Sequence, residues 1–267
     1  MNRIVERFSR LQAQKQKGFV VYIGAGDPDL AATLQLALVF DQLGVDVLEL
    51  GVPFSDPLAD GLVNQLAAQR GLESGTTPTR VLDTVAAIRK QSQIPIVLYA
   101  YFNLLHRRGV ERFIQDAAAA GVDGLLVLDL PPEESGNYAE LMKQAGLCSI
   151  FLVAPTTPDE RMAQIAKQAT GFVYYVSREG VTGMQKNIAA NLAEMTGRIR
   201  AHTPLPIAVG FGISNAEQAS QVAAVADAVV VGSAIVHQIA LHGGQPGLAG
   251  HIESWTRSLL EGVKGGS

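Results

Sequence analysis

Glu49 sits in Val47-Leu48-Glu49-Leu50-Gly51, an apolar run that otherwise has the composition of a buried strand. A carboxylate in such a run is costly unless it is paired, hydrogen-bonded or protonated. Strands buried on both faces normally read as unbroken Val, Ile and Leu. Asp60 follows in the loop Pro53-Phe54-Ser55-Asp56-Pro57-Leu58-Ala59-Asp60-Gly61. A carboxylate near a strand end, with a second on the loop beyond, suits tuned acid/base chemistry. Glu49 has a bland alternative as an interior carboxylate held by a basic neighbour, but no Lys or Arg falls within the strand cores. Asp60 reads equally well as the N-cap of a helix beginning at Leu62.

Two glycine-rich turns add a second kind of chemistry. Gly210-Phe211-Gly212-Ile213-Ser214 follows one apolar run, and Gly232-Ser233-Ala234 follows another and opens a helix. Glycines let backbone N–H groups approach an anion, and a helix N-terminus adds favourable partial charge, so the pair points to phosphate. Tyr174 and Tyr175 lie in one strand, so alternation sends one inward and one outward. The long loop 177–187 contains Gly180 and Gly183 and has the make-up of a binding loop or lid; Gly183 could add a further N–H to the phosphate site. Asp129, in Leu128-Asp129-Leu130-Pro131-Pro132, suits a structural or loop-orienting role.

Absences narrow the reaction. Lys90, Lys143 and Lys167 fall on helices and Lys186 in a loop, which disfavours a Schiff base. His106, His202, His237, His242 and His251 form no strand-end cluster, which disfavours a metal site. Metal-free acid/base chemistry on a phosphorylated substrate remains.

The elements that must position these groups repeat one rhythm: apolar run, loop, helix. Strands are expected at 19–23, 47–51, 95–99, 124–128, 149–153, 172–176, 206–210 and 228–231. Helices are expected at 30–43, 62–73 with 78–91, 110–120, 133–145, 158–168, 189–202, 215–224 and from 233 onward, with an extra helix at 4–16 before the first strand. Caps, prolines and early acids mark helix starts, as in Thr157-Pro158-Asp159-Glu160 and Ser214-Asn215-Ala216-Glu217. Gly44, Gly121 and Gly146 mark helix ends, and Val45-Asp46 and Val122-Asp123 repeat one way of starting a strand. Eight strand–helix units in this length imply a closed (β/α)8 TIM barrel with an extra N-terminal helix, an α/β fold whose chemistry lies at the strand C-termini. No linker divides residues 1–267, so one domain is expected.

The 267 residues are 48% hydrophobic and carry a formal charge of -4, which argues against a nucleic-acid surface. One cysteine, Cys148, lies in an apolar run and reads as a buried thiol in a reducing compartment. Neither a secretory h-region nor an uninterrupted membrane-length apolar stretch is visible, so a cytoplasmic location is expected.

From about Phe8 to the C-terminal helix, the chain resembles the tryptophan synthase alpha subunit family. The resemblance rests on Gly26-Asp27-Pro28, Leu48 through Gly61, Asp129-Leu130-Pro131-Pro132-Glu133-Glu134, Tyr174-Tyr175-Val176-Ser177-Arg178, Gly180-Val181-Thr182-Gly183 and Gly210-Phe211-Gly212-Ile213-Ser214. It implies retro-aldol cleavage of indole-3-glycerol phosphate to indole and glyceraldehyde 3-phosphate. Carried over by matching positions, Glu49 is the principal acid/base, Asp60 accepts the indole N–H, and Tyr174 is the active-site tyrosine. Tyr22, Asn64, Tyr99, Thr182 and Phe211 would contact substrate, and Gly183, Gly212, Gly232 and Ser233 would hold its phosphate. The resemblance further implies a beta subunit in an alpha2-beta2 tetramer, with pyridoxal phosphate only in the beta subunit and no cofactor in this chain. Pro53 and Asp56 match the loop that communicates with that partner. A stand-alone lyase and a weakly catalytic allosteric barrel are the alternatives. Gly24, Leu62, Asn64, Tyr99 and Leu128 depart from the residues usual in the family. Asn64 and Tyr99 are expected to make the indole pocket narrower and more polar.

Overall fold

A computed structural model describes residues 1–176, 185–210 and 212–265, leaving aside the side chains of 185–190. The chain runs α1 (Arg3–Ala13), β1 (Gly18–Gly24), α2 (Leu30–Leu43), β2 (Val47–Gly51), α3 (Leu62–Glu73), α4 (Pro78–Arg89) and β3 (Ile96–Ala100). It continues through α5 (Phe102–Arg108), α6 (Val110–Ala120), β4 (Gly124–Val127), α7 (Gly136–Gln144), β5 (Cys148–Val153), α8 (Asp159–Gln168) and β6 (Val173–Val176). Then come α9 (Gln185–Arg200), β7 (Ile207–Gly210), α10 (Ala216–Ala223), β8 (Ala228–Val231), α11 (Ser233–His242) and α12 (Leu248–Lys264). The strands pair in parallel in sequence order and β8 closes on β1, the (β/α)8 barrel expected from the sequence.

Side-chain alternation divides the apolar residues between two layers. Outward residues such as Val21, Leu48, Leu50, Leu98 and Val209 pack under the helices. Inward residues Val20, Val47, Val97, Leu126, Ile150, Phe172, Ala208 and Val230 fill the barrel. Its floor is sealed by α1, whose Ile4, Phe8 and Leu11 join the interior cluster; the Phe8 ring lies 5.4 Å from that of Phe172. The extra helix is therefore a plug. Above the apolar layers, the inward positions become polar: Tyr22 on β1, Glu49 on β2, Tyr99 on β3 and Tyr174 on β6.

Register is fixed at the lower rim by a repeated device. Asp46 donates its N–H to the carbonyl of Phe19, at 2.8 Å, while its carboxylate accepts the N–H of that same residue, also at 2.8 Å. Asp123 does this to Ile96, Thr170 to Ser149 and Asp227 to Ile207. The residue leading into each even-numbered strand thus clasps the preceding strand on both sides. The three aspartates also carry cations: Arg7 and Lys264 on Asp46, Arg3 and Arg89 on Asp123, and Arg200 on Asp227. Pairing offsets part of the cost of burying these carboxylates.

Some boundaries differ from expectation. The expected helix 133–145 is a 3₁₀ turn, Pro132–Glu134, followed by α7, because the Ser135 hydroxyl turns back onto the Pro132 carbonyl. The segment beyond 233 divides into α11 and α12 at Gly243–Gly247, where Gly247 has a φ of +93°. The sequence pattern gave no sign of α5. Cys148 is buried, and burial pushes its thiol up to about 12.

Candidate active site

The upper mouth of the barrel holds a cavity of about 600 Å³ lined by Tyr22, Glu49, Asp60, Asn64, Tyr99, Tyr174, Gly212, Gly232 and Ser233. Glu49 is fully buried, and neither carboxyl oxygen has a hydrogen-bond partner among the described residues. With nothing to stabilise the anion, burial pushes its pKa from 4.5 up to about 8. The acid therefore carries a proton at neutral pH, and no basic neighbour among the described residues holds it as a structural ion pair. The alternation that directs Leu48 and Leu50 into the outer core turns Glu49 into the cavity.

Asp60 is not a helix cap. The N-cap of α3 is Gly61, which has no side chain to offer. The Asp60 carboxylate instead accepts two phenolic hydrogen bonds, from Tyr99 to Oδ1 at 2.6 Å and from Tyr101 to Oδ2 at 2.8 Å. The Tyr101 oxygen also accepts the Ala59 N–H at 3.0 Å, and its ring lies 5.0 Å from that of Phe54. Both ends of this loop thus dock on the end of β3. Burial, reinforced by neighbouring Asp60, raises the Tyr99 and Tyr101 hydroxyls above the ordinary tyrosine range and keeps them as donors.

Tyr22 and Tyr174 complete the polar layer. Burial raises both hydroxyls, with Asp60 and then Glu49 adding for Tyr22, and Glu49 adding first for Tyr174. Tyr22 needs a glycine at position 51, since a Cβ there would come within 2.5 Å of its hydroxyl oxygen. Tyr175 faces the outer core, so alternation selects Tyr174 for the cavity.

The glycine turns border the same cavity. Gly212 has a φ of +63°, a conformation glycine adopts without strain. Helix α11 begins at Ser233 with Gly232 as N-cap and no side-chain cap, so its first N–H groups remain available to an anion. Thr182, Gly183 and Phe211 lie outside the described residues.

The other candidates fall near the site in different ways. Asn64 lines the cavity with its Oδ1 buried and unpartnered among the described residues. Tyr99 borders the cavity, yet its phenol is turned to Asp60 and the volume stays open. Pro53 is buried and Asp56 exposed on the loop, next to Leu58 and Leu62, which are 81% and 70% exposed. Asp129 is exposed and accepts the Phe102 N–H at 2.6 Å, a loop-orienting contact. Leu128 packs against the interior cluster, and a Cβ at Gly24 would meet Ala67 of α3 at 3.4 Å, an ordinary contact. Tyr101 was not among the residues the sequence singled out. Its signal was the spacing Tyr99-Ala100-Tyr101, which returns two phenols to one side of an extended chain.

The model for the family described as tryptophan synthase alpha chain matches residues 8–254. The chain belongs to that family. The tryptophan synthase alpha chain of Opitutus terrae is 56% identical over 246 residues, covering 92% of each chain. That of Citrifermentans bemidjiense is 46% identical over 267 residues and covers all of both. The crystal structure of tryptophan synthase subunit alpha from Legionella pneumophila superposes with a TM-score of 0.91 at 37% identity, covering 98% of each chain. A tryptophan synthase structure from M. tuberculosis in its aminoacrylate-bound form gives 0.88 at 31%, covering 99% of this chain and 100% of that one. Alpha chains of this family are lyases that cleave indole-3-glycerol phosphate in tryptophan biosynthesis, and membership implies a beta-subunit partner. No described helix is long and apolar enough to cross a membrane.

Proposed function

We propose that Glu49 and Asp60 carry the lyase reaction, the retro-aldol cleavage of indole-3-glycerol phosphate to indole and glyceraldehyde 3-phosphate. The observation that supports this is Glu49, buried and unpartnered among the described residues, in the same cavity as an Asp60 held by two phenols. Glu49 donates its proton to the indole carbon that bears the glycerol chain. Positive charge then develops on the ring, and Asp60 stabilises it by accepting the ring N–H. The Glu49 carboxylate next takes the proton of the hydroxyl on the adjacent glycerol carbon. The carbon–carbon bond breaks, its electron pair restores the aromatic ring, and the glycerol carbon leaves as an aldehyde. Glu49 ends protonated, ready for another turnover.

Tyr174 hydrogen-bonds substrate beside Glu49, while Tyr22, Asn64 and Tyr99 shape the ring pocket together with Thr182 and Phe211. Gly212, Gly232 and Ser233, with Gly183, bind the phosphate. Residues 1–267 form one domain. The chain works in the cytoplasm with a beta subunit in an alpha2-beta2 tetramer. It holds no cofactor of its own; pyridoxal phosphate belongs to the beta subunit, which receives the indole. The loop bearing Pro53 and Asp56 meets that partner, with its exposed Leu58 and the exposed Leu62 at the start of α3 supplying apolar contact area.

Indole release from indole-3-glycerol phosphate, measured with and without a beta subunit, tests this reading. Rapid release that the beta subunit strongly accelerates is expected. Absence of release from the complex would overturn it, and release indifferent to the beta subunit would assign the stand-alone activity instead.

A further inference from the structure

Asp60 is held by two tyrosines that differ in what else they do. Tyr101 spans the carboxylate and the backbone, since its oxygen gives a hydrogen bond to Asp60 Oδ2 and takes one from the Ala59 N–H. It therefore also orders the loop. Among the described residues Tyr99 makes one hydrogen bond through its hydroxyl, to Asp60 Oδ1, at 2.6 Å. Its ring meets that of Tyr22 edge-on, with centroids 4.9 Å apart and an interplanar angle of 63°.

A carboxylate held through one oxygen still rotates about its terminal torsion, which is broad. Held through both, its plane is set and its remaining lone pairs have a fixed direction. The Tyr22 ring wedges Tyr99 from the side, and Gly51 provides the space Tyr22 needs. An aliphatic residue at 99 would leave the carboxylate with Tyr101 alone among the described residues. The O–H donors add a second effect, because a hydrogen bond to a carboxylate is charge-assisted and about twice as strong as a neutral one.

We propose that Tyr99 is a positioning residue for the lyase reaction, fixing the plane of the Asp60 carboxylate so that it faces the indole N–H as the ring becomes positive. This rests on the role given to Asp60 above. Tyr99 touches the reacting ring as a wall, but its hydroxyl acts through Asp60.

The test is a double-mutant cycle on the full chain assayed with its beta subunit, comprising Tyr99→Phe, Asp60→Asn and the double variant. Tyr99→Phe keeps the ring against Tyr22 and removes only the donor. Its kcat should fall about tenfold while KM changes by less than about twofold, the signature of an interaction that matters in the transition state. In the Asp60→Asn background the same change should alter kcat by less than about twofold, because coupled residues are not additive. Thermal unfolding midpoints and binding of a non-cleavable indolyl-alkyl phosphate check that the fold and pocket survive. If Asp60→Asn is impaired while Tyr99→Phe costs nothing, or the same factor in both backgrounds, the positioning role is overturned and the Asp60 role stands. If Asp60→Asn turns over normally, both fall together.

Discussion

Glu49 on β2 lies level with Tyr22 on β1 and with Val97 on β3, so the buried acid is flanked by one phenol and one aliphatic side chain. No cation stands beside it on either neighbouring strand. Among the described residues nothing but burial keeps its proton, which makes its chemistry sensitive to any change that lets water or charge into the layer.

Replacing Glu49 with Gln should lower indole release by roughly 10²–10⁴-fold, the usual loss for a general acid/base. In the unmodified chain, kcat/KM should fall as pH rises through about 8, where Glu49 loses the proton it must donate. A flat basic limb, or near-normal turnover by the Gln variant, would remove Glu49 from the mechanism.

The same group predicts a trend in stability. Its folded pKa of about 8 lies above the ordinary 4.5 of the unfolded chain. The unfolded state therefore releases this proton first, and the contribution of Glu49 to stability falls as pH rises from about 4.5 to about 8. Below that window both states are protonated and the contribution is constant. Glu49→Gln abolishes the dependence, so thermal unfolding of the variant should gain on the parent across that window and stay level below it. An equal offset at all pH values would contradict the buried, unpaired acid.

Asp60→Asn removes the charge that answers the developing cation. Turnover should drop by about 10²–10³-fold, as for loss of a preorganised electrostatic partner. Binding of glycerol phosphate, which depends on the glycine turns, should be unchanged. Equal losses in both would mean that the substitution had disturbed the whole mouth of the barrel.

Ser233→Asp tests the phosphate turn. A negative charge in the first turn of α11 favours the helix but repels a bound phosphate. KM for indole-3-glycerol phosphate should rise at least about tenfold without any fall in the unfolding midpoint. An unchanged KM would move the phosphate elsewhere.

Asp123→Ala probes the opposite rim. Asp123 accepts the Ile96 N–H and pairs with Arg3 and Arg89 at 2.9 and 2.7 Å. Removing it strands a buried N–H and takes from the Arg89 guanidinium its carboxylate partner, and should cost roughly 3–5 kcal/mol in denaturant unfolding. The chain that remains folded should keep its kcat.

Most of the barrel was legible because short apolar runs alternate with helical segments, many of which end on a glycine or start on a capping side chain. Alternation sets Glu49 apart from its outward neighbours Leu48 and Leu50 and separates Tyr174 from Tyr175, but in the sequence only the resemblance to the family chose Tyr174 as the inward one. The role of Asp60 was not decidable, because a carboxylate before a helix looks the same whether it caps that helix or turns towards a phenol some forty residues away. Tyr101 belongs to that distant pairing and was missed for the same reason. The short helix α5, only Phe102–Arg108, begins immediately after β3 and merges in sequence with α6, from which Gly109 alone separates it. The split at Ser135 arises from side-chain bonds that helical periodicity does not report.

The clasp made by Asp46, Asp123, Thr170 and Asp227 recurs with every second strand, always joining an odd strand to its successor. The barrel is thus assembled as four doublets, like paired staves held by one hoop at the base. Side chains can be exchanged at the open end while the hoop keeps the staves aligned, so reactivity and architecture can change separately within one molecule.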